Sequence, residues 1–277
     1  MPLQQLAQAA TEGTGVTPEA ASSSAIPFPP FAPEVLFYIG PLGVTNTVLY
    51  TYLVMVVLVF FAAWATRRLQ EAPAARSWQA LAEVVINTLL NLAENAVGRK
   101  RSRQIFPLLA TLFIFILTAN WFSLLPIIGP FYLQEGSERI PLFRAVAADW
   151  STTLALALVT VVVTEFWAFR YRAKEHLMHF VKPPVIGQIE LVSELVRVVS
   201  LSLRLFGNLF AGEVLITVMT SLTYVVIPAV FLVLETLFGF IQATVFTILC
   251  LAYFTLNTTS HHVDHDEAEN PLHATAA

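Results

Sequence analysis

The sequence predicts an all-α membrane protein, and three observations carry that reading. Of 277 residues, 56% are hydrophobic and only 12% charged, with a mean hydropathy of +0.69; a soluble domain carries roughly 25% charged residues. The charges are also unevenly placed: no Lys or Arg precedes Arg67 or follows Arg204, and the runs 46–66, 104–134 and 150–164 carry none. From Leu205 to Val263 only Glu213 and Glu235 are charged. So few charges cannot cover a globular surface, which argues against a soluble enzyme, and a net charge of −4 offers nothing to a nucleic acid. The single cysteine, Cys250, lies in an apolar run and excludes both a disulfide framework and a cysteine-based metal site.

Residues 1–35 are rich in Ala, Ser, Thr and Pro and lack a basic residue, so they do not resemble a signal peptide. They are expected to form a flexible extracytoplasmic tail, with Phe28-Pro29-Pro30-Phe31 resting at the membrane surface. The membrane domain is expected over 36–259. A spanning helix needs about 20 mostly apolar residues, which places spans at 46–66, 105–126 and 149–169 and two longer helices at 186–222 and 226–258. The segment 78–97 spaces its apolar side chains helically around Glu83 and Glu94 and predicts an amphipathic interfacial helix. Trp150 and the pair Phe166-Trp167 fit interfacial anchors at the two ends of the third span.

Orientation follows from the basic residues. Arg67, Arg68, Arg76, Arg99, Lys100, Arg101 and Arg103 lie between the first two spans, and Arg170, Arg172, Lys174 and Lys182 between the third and fourth. The intervening loop carries only Arg139 and Arg144, against Glu135 and Glu138. The positive-inside bias puts the N-terminus outside and, after five spans, the C-terminus inside. The last residues, 260–277, mix His261, His262, His265 and His273 with acids at no zinc-binding spacing, which predicts a solvated acidic cytoplasmic tail and no metal site.

The polar residues inside the apolar helices are the informative ones. A helix over 186–222 would be roughly 55 Å long, against a hydrocarbon core of about 30 Å, so it must tilt steeply, break or lie along the membrane. At 100° per residue Glu190, Glu194, Arg197, Arg204 and Asn208 share one stripe, while Glu213 falls nearly opposite Arg204. An Arg at mid-membrane costs about 2.5–3.5 kcal/mol on insertion scales, and its guanidinium cannot shed its proton to escape. The bland readings are a buried pair with a Glu or a side chain snorkelling to the interface. Glu235 and Gln242, seven apart, share a face of the last helix. A carboxyl able to hold or lose a proton is what a proton path requires, although a helix-bridging polar contact is the bland alternative for Glu213 and Glu235, and interhelical amide glue for Gln242. No P-loop, Gly-rich nucleotide turn or GxSxG elbow is present.

The run Ser202-Leu203-Arg204-Leu205-Phe206-Gly207-Asn208, continuing to Glu213, resembles the signature helix of subunit a of the F-type ATP synthases. Asn46-Thr47 opening the first span, Asn120 with Leu124-Leu125-Pro126 closing the second, Glu190 and Gln242 also match, and the likeness covers about 36–258. The resemblance implies a non-catalytic proton-channel stator subunit, folded as about five spans plus the interfacial helix, with the last two helices forming a strongly tilted hairpin. It implies Arg204 as the essential charge facing a rotating ring of c subunits, with Gln242 near it and Asn208 one turn beyond. Glu213 and Glu235 would line the outer half-channel, and Glu190 would lie near the exit of the inner one. It implies as partners the c-ring, subunit b, the other FO subunits and the catalytic head, in a bacterial inner membrane and without a cofactor. Three departures stand out: two acids where many members have a histidine in the pair, Ser123 where some carry an acid, and Val198 where many have proline. A secondary transporter for an anion would show repeats or broken half-helices, an inert scaffold would not need these polar groups, and a membrane-embedded enzyme would want a histidine or nucleophile at membrane depth.

Overall fold

The computed structural model describes residues 35–39, 42–67, 78–125, 132–135, 138–141, 144–146, 149–181, 184–223 and 226–258. The expected tails lie outside the described residues, apart from Val35, as do Phe28-Pro29-Pro30-Phe31 and the four histidines of the acidic tail.

A short antiparallel hairpin, β1 (Val35–Ile39) and β2 (Leu42–Thr45), leads directly into helix α1 (Asn46–Thr66). Thr45 caps that helix, its hydroxyl accepting from the Val48 amide at 3.4 Å. Helix α2 (Trp78–Val97) then turns into α3 (Arg99–Ser123) through Gly98. Its φ of +78° is a left-handed conformation that glycine adopts without a Cβ penalty, so two helices can meet with one residue between them. A second hairpin, β3 (Tyr132–Glu135) with β4 (Glu138–Pro141), precedes α4 (Trp150–Val181), α5 (Pro184–Leu222) and α6 (Val226–Thr258). Pro184 opens α5 and Pro228 sits in the first turn of α6, positions where a missing N–H costs nothing.

Five of these helices, α1, α3, α4, α5 and α6, are long and apolar enough to cross a membrane. The first and last coincide with the expected spans. α4 runs twelve residues past the expected end at 169, and α3 starts six before the expected 105, because the Arg- and Lys-rich flanks read as loops are good helix formers. The two β-hairpins were not expected: each pairs strands of only four or five residues, too short for a clear alternating pattern.

The helices alternate in direction. Contacts pair the Arg101 region of α3 with the end of α6, through a 3.0 Å bond from Arg101 Nη1 to the Thr258 carbonyl, and with Tyr171 of α4, 5.3 Å below the guanidinium. At the opposite end Trp121 Nε1 donates to the Thr236 carbonyl and Asn120 Nδ2 to the Gly239 carbonyl, both at 3.2 Å, while Trp150 packs edge-on against Phe206. One end of the bundle therefore carries Arg99 to Arg103 and Arg170, and is called the basic end below.

Lipid tails are as apolar as leucine, so helix association here rests on close approach and hydrogen bonds. α4 shows the device plainly. Its buried residues are Thr153, Ala157, Thr160, Val161, Thr164 and Ala168, small apart from Val161, on a helix that packs on α5 and α6. Thr153 and Ser202 bond across the α4–α5 contact at 3.1 Å. The main core joins Leu89 and Ala93 of α2, Ile105, Leu109 and Ile116 of α3, Leu201, Leu205 and Leu209 of α5, and Phe246, Cys250 and Phe254 of α6. α1 stands apart, with Tyr50 and Val54 packed on Ala119 in a small cluster of their own.

Candidate functional site

The site is laid out along α5, a single 39-residue helix, or about 58 Å at 1.5 Å per residue. Its buried side consists of Val198, Leu201, Ser202, Leu205 and Leu209. Arg204 projects from the other side, exposed alongside Val196, Leu203, Gly207 and Ala211. No ion pair to Arg204 occurs among the described residues. Gly207 has open space where a Cβ would stand, so a large surface can come close to the guanidinium. Asn208, one turn on, is half-buried.

Toward the connection to α6, Glu213 and Glu235 come together. The Glu235 carboxyl lies directly over Gly212, where any Cβ would collide with it. Glu235 and Glu213 interact electrostatically, and so do Glu213 and Arg144. Arg144 is only 6% exposed and comes from the segment between the second hairpin and α4, not from a spanning helix. Glu213 Oε2 and Glu235 Oε2 are buried and make no hydrogen bond among the described residues.

Toward the basic end lies a denser arrangement. Arg197 Nη1 is 2.6 Å from Glu194 Oε1 and 4.0 Å from Glu165 Oε1 of α4. Its guanidinium covers the Tyr253 ring of α6 at 4.2 Å, and Asn257 of α6 donates to the same Glu165 oxygen. The three charged side chains are 15–19% exposed. Arg101, Tyr171 and Gln104 continue the polar contacts toward the basic end, the Tyr171 hydroxyl donating to the Gln104 carbonyl oxygen.

Gln242 of α6 is buried at 7% exposure, and its Nε2 makes no hydrogen bond among the described residues. The antiparallel register pairing Gly212 with Glu235 and Arg197 with Tyr253 puts it level with the turn of α5 that follows Arg204. Glu190 lies in the first turns of α5, with its side chain outside the described residues. The expected residues are thus divided: Glu213 and Glu235 meet, Gln242 and Asn208 share a level, and Arg204 stands alone on the exposed stripe. Sequence reasoning passed over Glu165, which ends the uncharged run 150–164, and Arg144, which reads as an ordinary loop cation. A charge terminating an apolar run was the available signal for Glu165. Arg144 offered none.

Between α3, α4 and α5 a small cavity lined by Asn120, Thr152, Thr153 and Leu205 has room for about one water molecule. Asn120 Oδ1, also buried, makes no hydrogen bond among the described residues. No group of three or more potential metal ligands occurs among the described residues.

The family model of the ATP synthase A chain matches residues 48–255. The chain is 35% identical over 225 residues to the ATP synthase subunit a of Moorella thermoacetica, covering 80% of this chain and 94% of that one. It is 32% identical over 233 residues to that of Gloeobacter violaceus, covering 84% and 91%, and 33% identical over 226 residues to an ATP synthase subunit a of a Bradyrhizobium strain, covering 81% and 93%. The chain is a multi-pass membrane protein and belongs to the ATP synthase A chain family.

Proposed function

We propose that this chain is the proton-channel stator subunit of the ATP synthase membrane sector, providing two half-channels and an Arg that couple proton flow to rotation of a c-ring. The observation that carries the reading is the setting of Arg204: an exposed guanidinium on an apolar stripe, with an acidic cluster on either side along the same helix. Arg197 lies seven residues away, about 10 Å, and Glu213 nine residues away, about 14 Å. A lipid-facing charge with no ion pair among the described residues is costly, and a ring carboxylate arriving opposite it relieves that cost.

In this reading Glu213 and Glu235 take protons from outside, and Glu190 lies near the inner exit. Gln242 and Asn208 bracket Arg204. The positive field of Arg204 favours the ionised form of the ring carboxylate, so its proton leaves toward the inner channel, and the same charge bars direct crossing. Each elementary charge crossing supplies about 2.3 kcal/mol per 100 mV. The lengths of α5 and α6 suit a tilted hairpin lying along the ring, and α2 suits the interface, where it would meet subunit b and the other FO subunits. The positive-inside bias sets the basic end of the bundle, and the C-terminus, in the cytoplasm of a bacterial inner membrane. ATP chemistry belongs to other subunits, since the sequence holds no nucleotide-binding motif.

The test is Arg204→Ala, read for assembly and pumping together in membrane vesicles. The complex is expected to assemble, ATP-driven pumping to stop, and passive proton flow to persist. Arg204→Lys is expected to couple poorly as well, because an ammonium can deprotonate where a guanidinium does not. An assembled Arg204→Ala complex that still pumps refutes the reading.

A further inference from the structure

We propose that Glu165 is a positioning residue of the inner proton path: by sharing Arg197 with Glu194, it lets Glu194 take up and release a proton without stranding the guanidinium. The inference rests on the proton-stator reading above and adds a residue from a different helix.

The geometry is specific. One nitrogen, Arg197 Nη1, is within ion-pair distance of both carboxylates, with Glu194 Oε1 at 2.6 Å and Glu165 Oε1 at 4.0 Å, and makes no hydrogen bond among the described residues. The charged and titratable groups described around Glu194 include Arg197 on its own helix, Glu165 from α4 and, across the guanidinium, Tyr253 from α6. Tyr253 presents a ring face, which stabilises the cation but cannot neutralise it. Glu165 is held in place by the Asn257 amide, so it does not follow Glu194 when that group moves.

Charge counting then decides the role. Two carboxylates and one guanidinium sum to −1; one proton brings the cluster to zero. A proton arriving at Glu194 leaves Arg197 paired with Glu165, and the departing proton leaves it paired with both. Without Glu165 the same protonation leaves a lone buried cation, which a low-dielectric setting opposes. Glu194 is then locked as the permanent partner of Arg197. Arg197 and Glu194 are both within three turns of Arg204 on α5, on the side away from Glu213. The step involves only proton transfer: the proton comes from the ring carboxylate facing Arg204, and leaves to water at the basic end.

The decisive experiment uses the whole complex in vesicles, with assembly measured beside passive proton conduction and ATP-driven pumping. Glu165→Gln keeps an oxygen for the Asn257 amide and removes only the charge. It is expected to leave assembly intact and lower conduction about tenfold. Adding Arg197→Gln removes the cation that needed compensation and is expected to return conduction to at least half the wild-type rate. Glu165→Asp keeps the charge and is expected to do likewise without the second change. A structural clamp predicts the opposite: unaltered flow in Glu165→Gln, and a double variant worse than the single. The inference is overturned if assembled Glu165→Gln conducts like wild type, or if neither restoring variant conducts better than Glu165→Gln. An Arg204→Ala control that assembles and still pumps overturns the underlying reading as well, which separates the two failures.

Discussion

At the basic end of α5, Arg197 pairs with two carboxylates and stacks on Tyr253, and Asn257 of α6 donates to one of those carboxylates, Glu165. Toward the other end of the same helix, Glu213 and Glu235 lie close together, each with a buried oxygen that makes no hydrogen bond among the described residues. A cation that acts on Glu213, Arg144, comes from a connecting segment. The first cluster ties α4, α5 and α6 together with ion pairs, a ring face and an amide; the second leaves acceptor oxygens for something mobile. On the proton-stator reading, the contrast predicts that removing the shared cation at the basic end costs assembly, whereas neutralising one of the acids at the far end costs flow alone.

The largest effect is expected from Arg197→Ala. Removing it leaves Glu165 and Glu194 as two buried carboxylates without their shared cation, a loss of about 3–5 kcal/mol. The assembled complex should fall several-fold, as measured by immunoblot of the assembled sector, and further than in the Glu165→Gln/Arg197→Gln variant, where Glu194 alone loses its cation. Full assembly of this variant would erase the contrast.

Next comes Glu235→Gln, at the other end. The complex should assemble normally and lose coupled ATP synthesis by roughly tenfold or more, within the range for removing a group that passes protons. Glu235→His should retain a good part of the activity, because an imidazole can also carry a proton. A Gln variant with normal synthesis rates from about pH 6 to 9 would make Glu235 structural, and the two ends alike.

The smallest effect is expected from Gly212→Ala. The added Cβ meets the Glu235 carboxyl, the far end of a flexible side chain, and so displaces it rather than separating the helices. Overpacking of this kind costs about 1 kcal/mol. Synthesis should fall a few-fold with assembly unchanged, and an unaffected rate would show that the position of the Glu235 carboxyl does not matter.

The sequence made the fold legible wherever length and charge separate cleanly. Spans 46–66 and 226–258 end where α1 and α6 end, because a polar or charged run flanks the hydrophobic one. α3 and α4 run beyond the expected spans because helices do not stop where hydrophobicity stops, and the span-capable part of α4 is Trp150–Tyr171. Of the candidate site, the stripe containing Arg204 and the face shared by Glu235 and Gln242 follow from 100° periodicity within one helix. What joins different helices does not. Glu165 and Arg197 are 32 positions apart, and Asn257 is 92 from Glu165, so the basic-end cluster exists only after α4, α5 and α6 have packed. Arg144 is further hidden, since nothing local distinguishes it from Arg139.

The bonds from Asn120 and Trp121 to the carbonyls of Gly239 and Thr236 span 119 and 115 residues, and Gly239 permits them because its missing side chain leaves room for Asn120 Cβ at 3.0 Å. They bear on the order in which the protein is made. The chain enters the membrane from its N-terminus, so α3 waits through the synthesis of α4 and α5 before its main partner exists. Until then Asn120 and Trp121 present polar groups, and Leu109, Leu112 and Phe113 an unfilled face, to whatever surrounds the nascent bundle. α6 is the closing piece, drawn in last and bonded to α3 from Thr236 to Thr258. A ribosome stalled before residue 226 holds four spans and no finished centre, a state that insertion machinery must shelter and quality-control proteases can recognise.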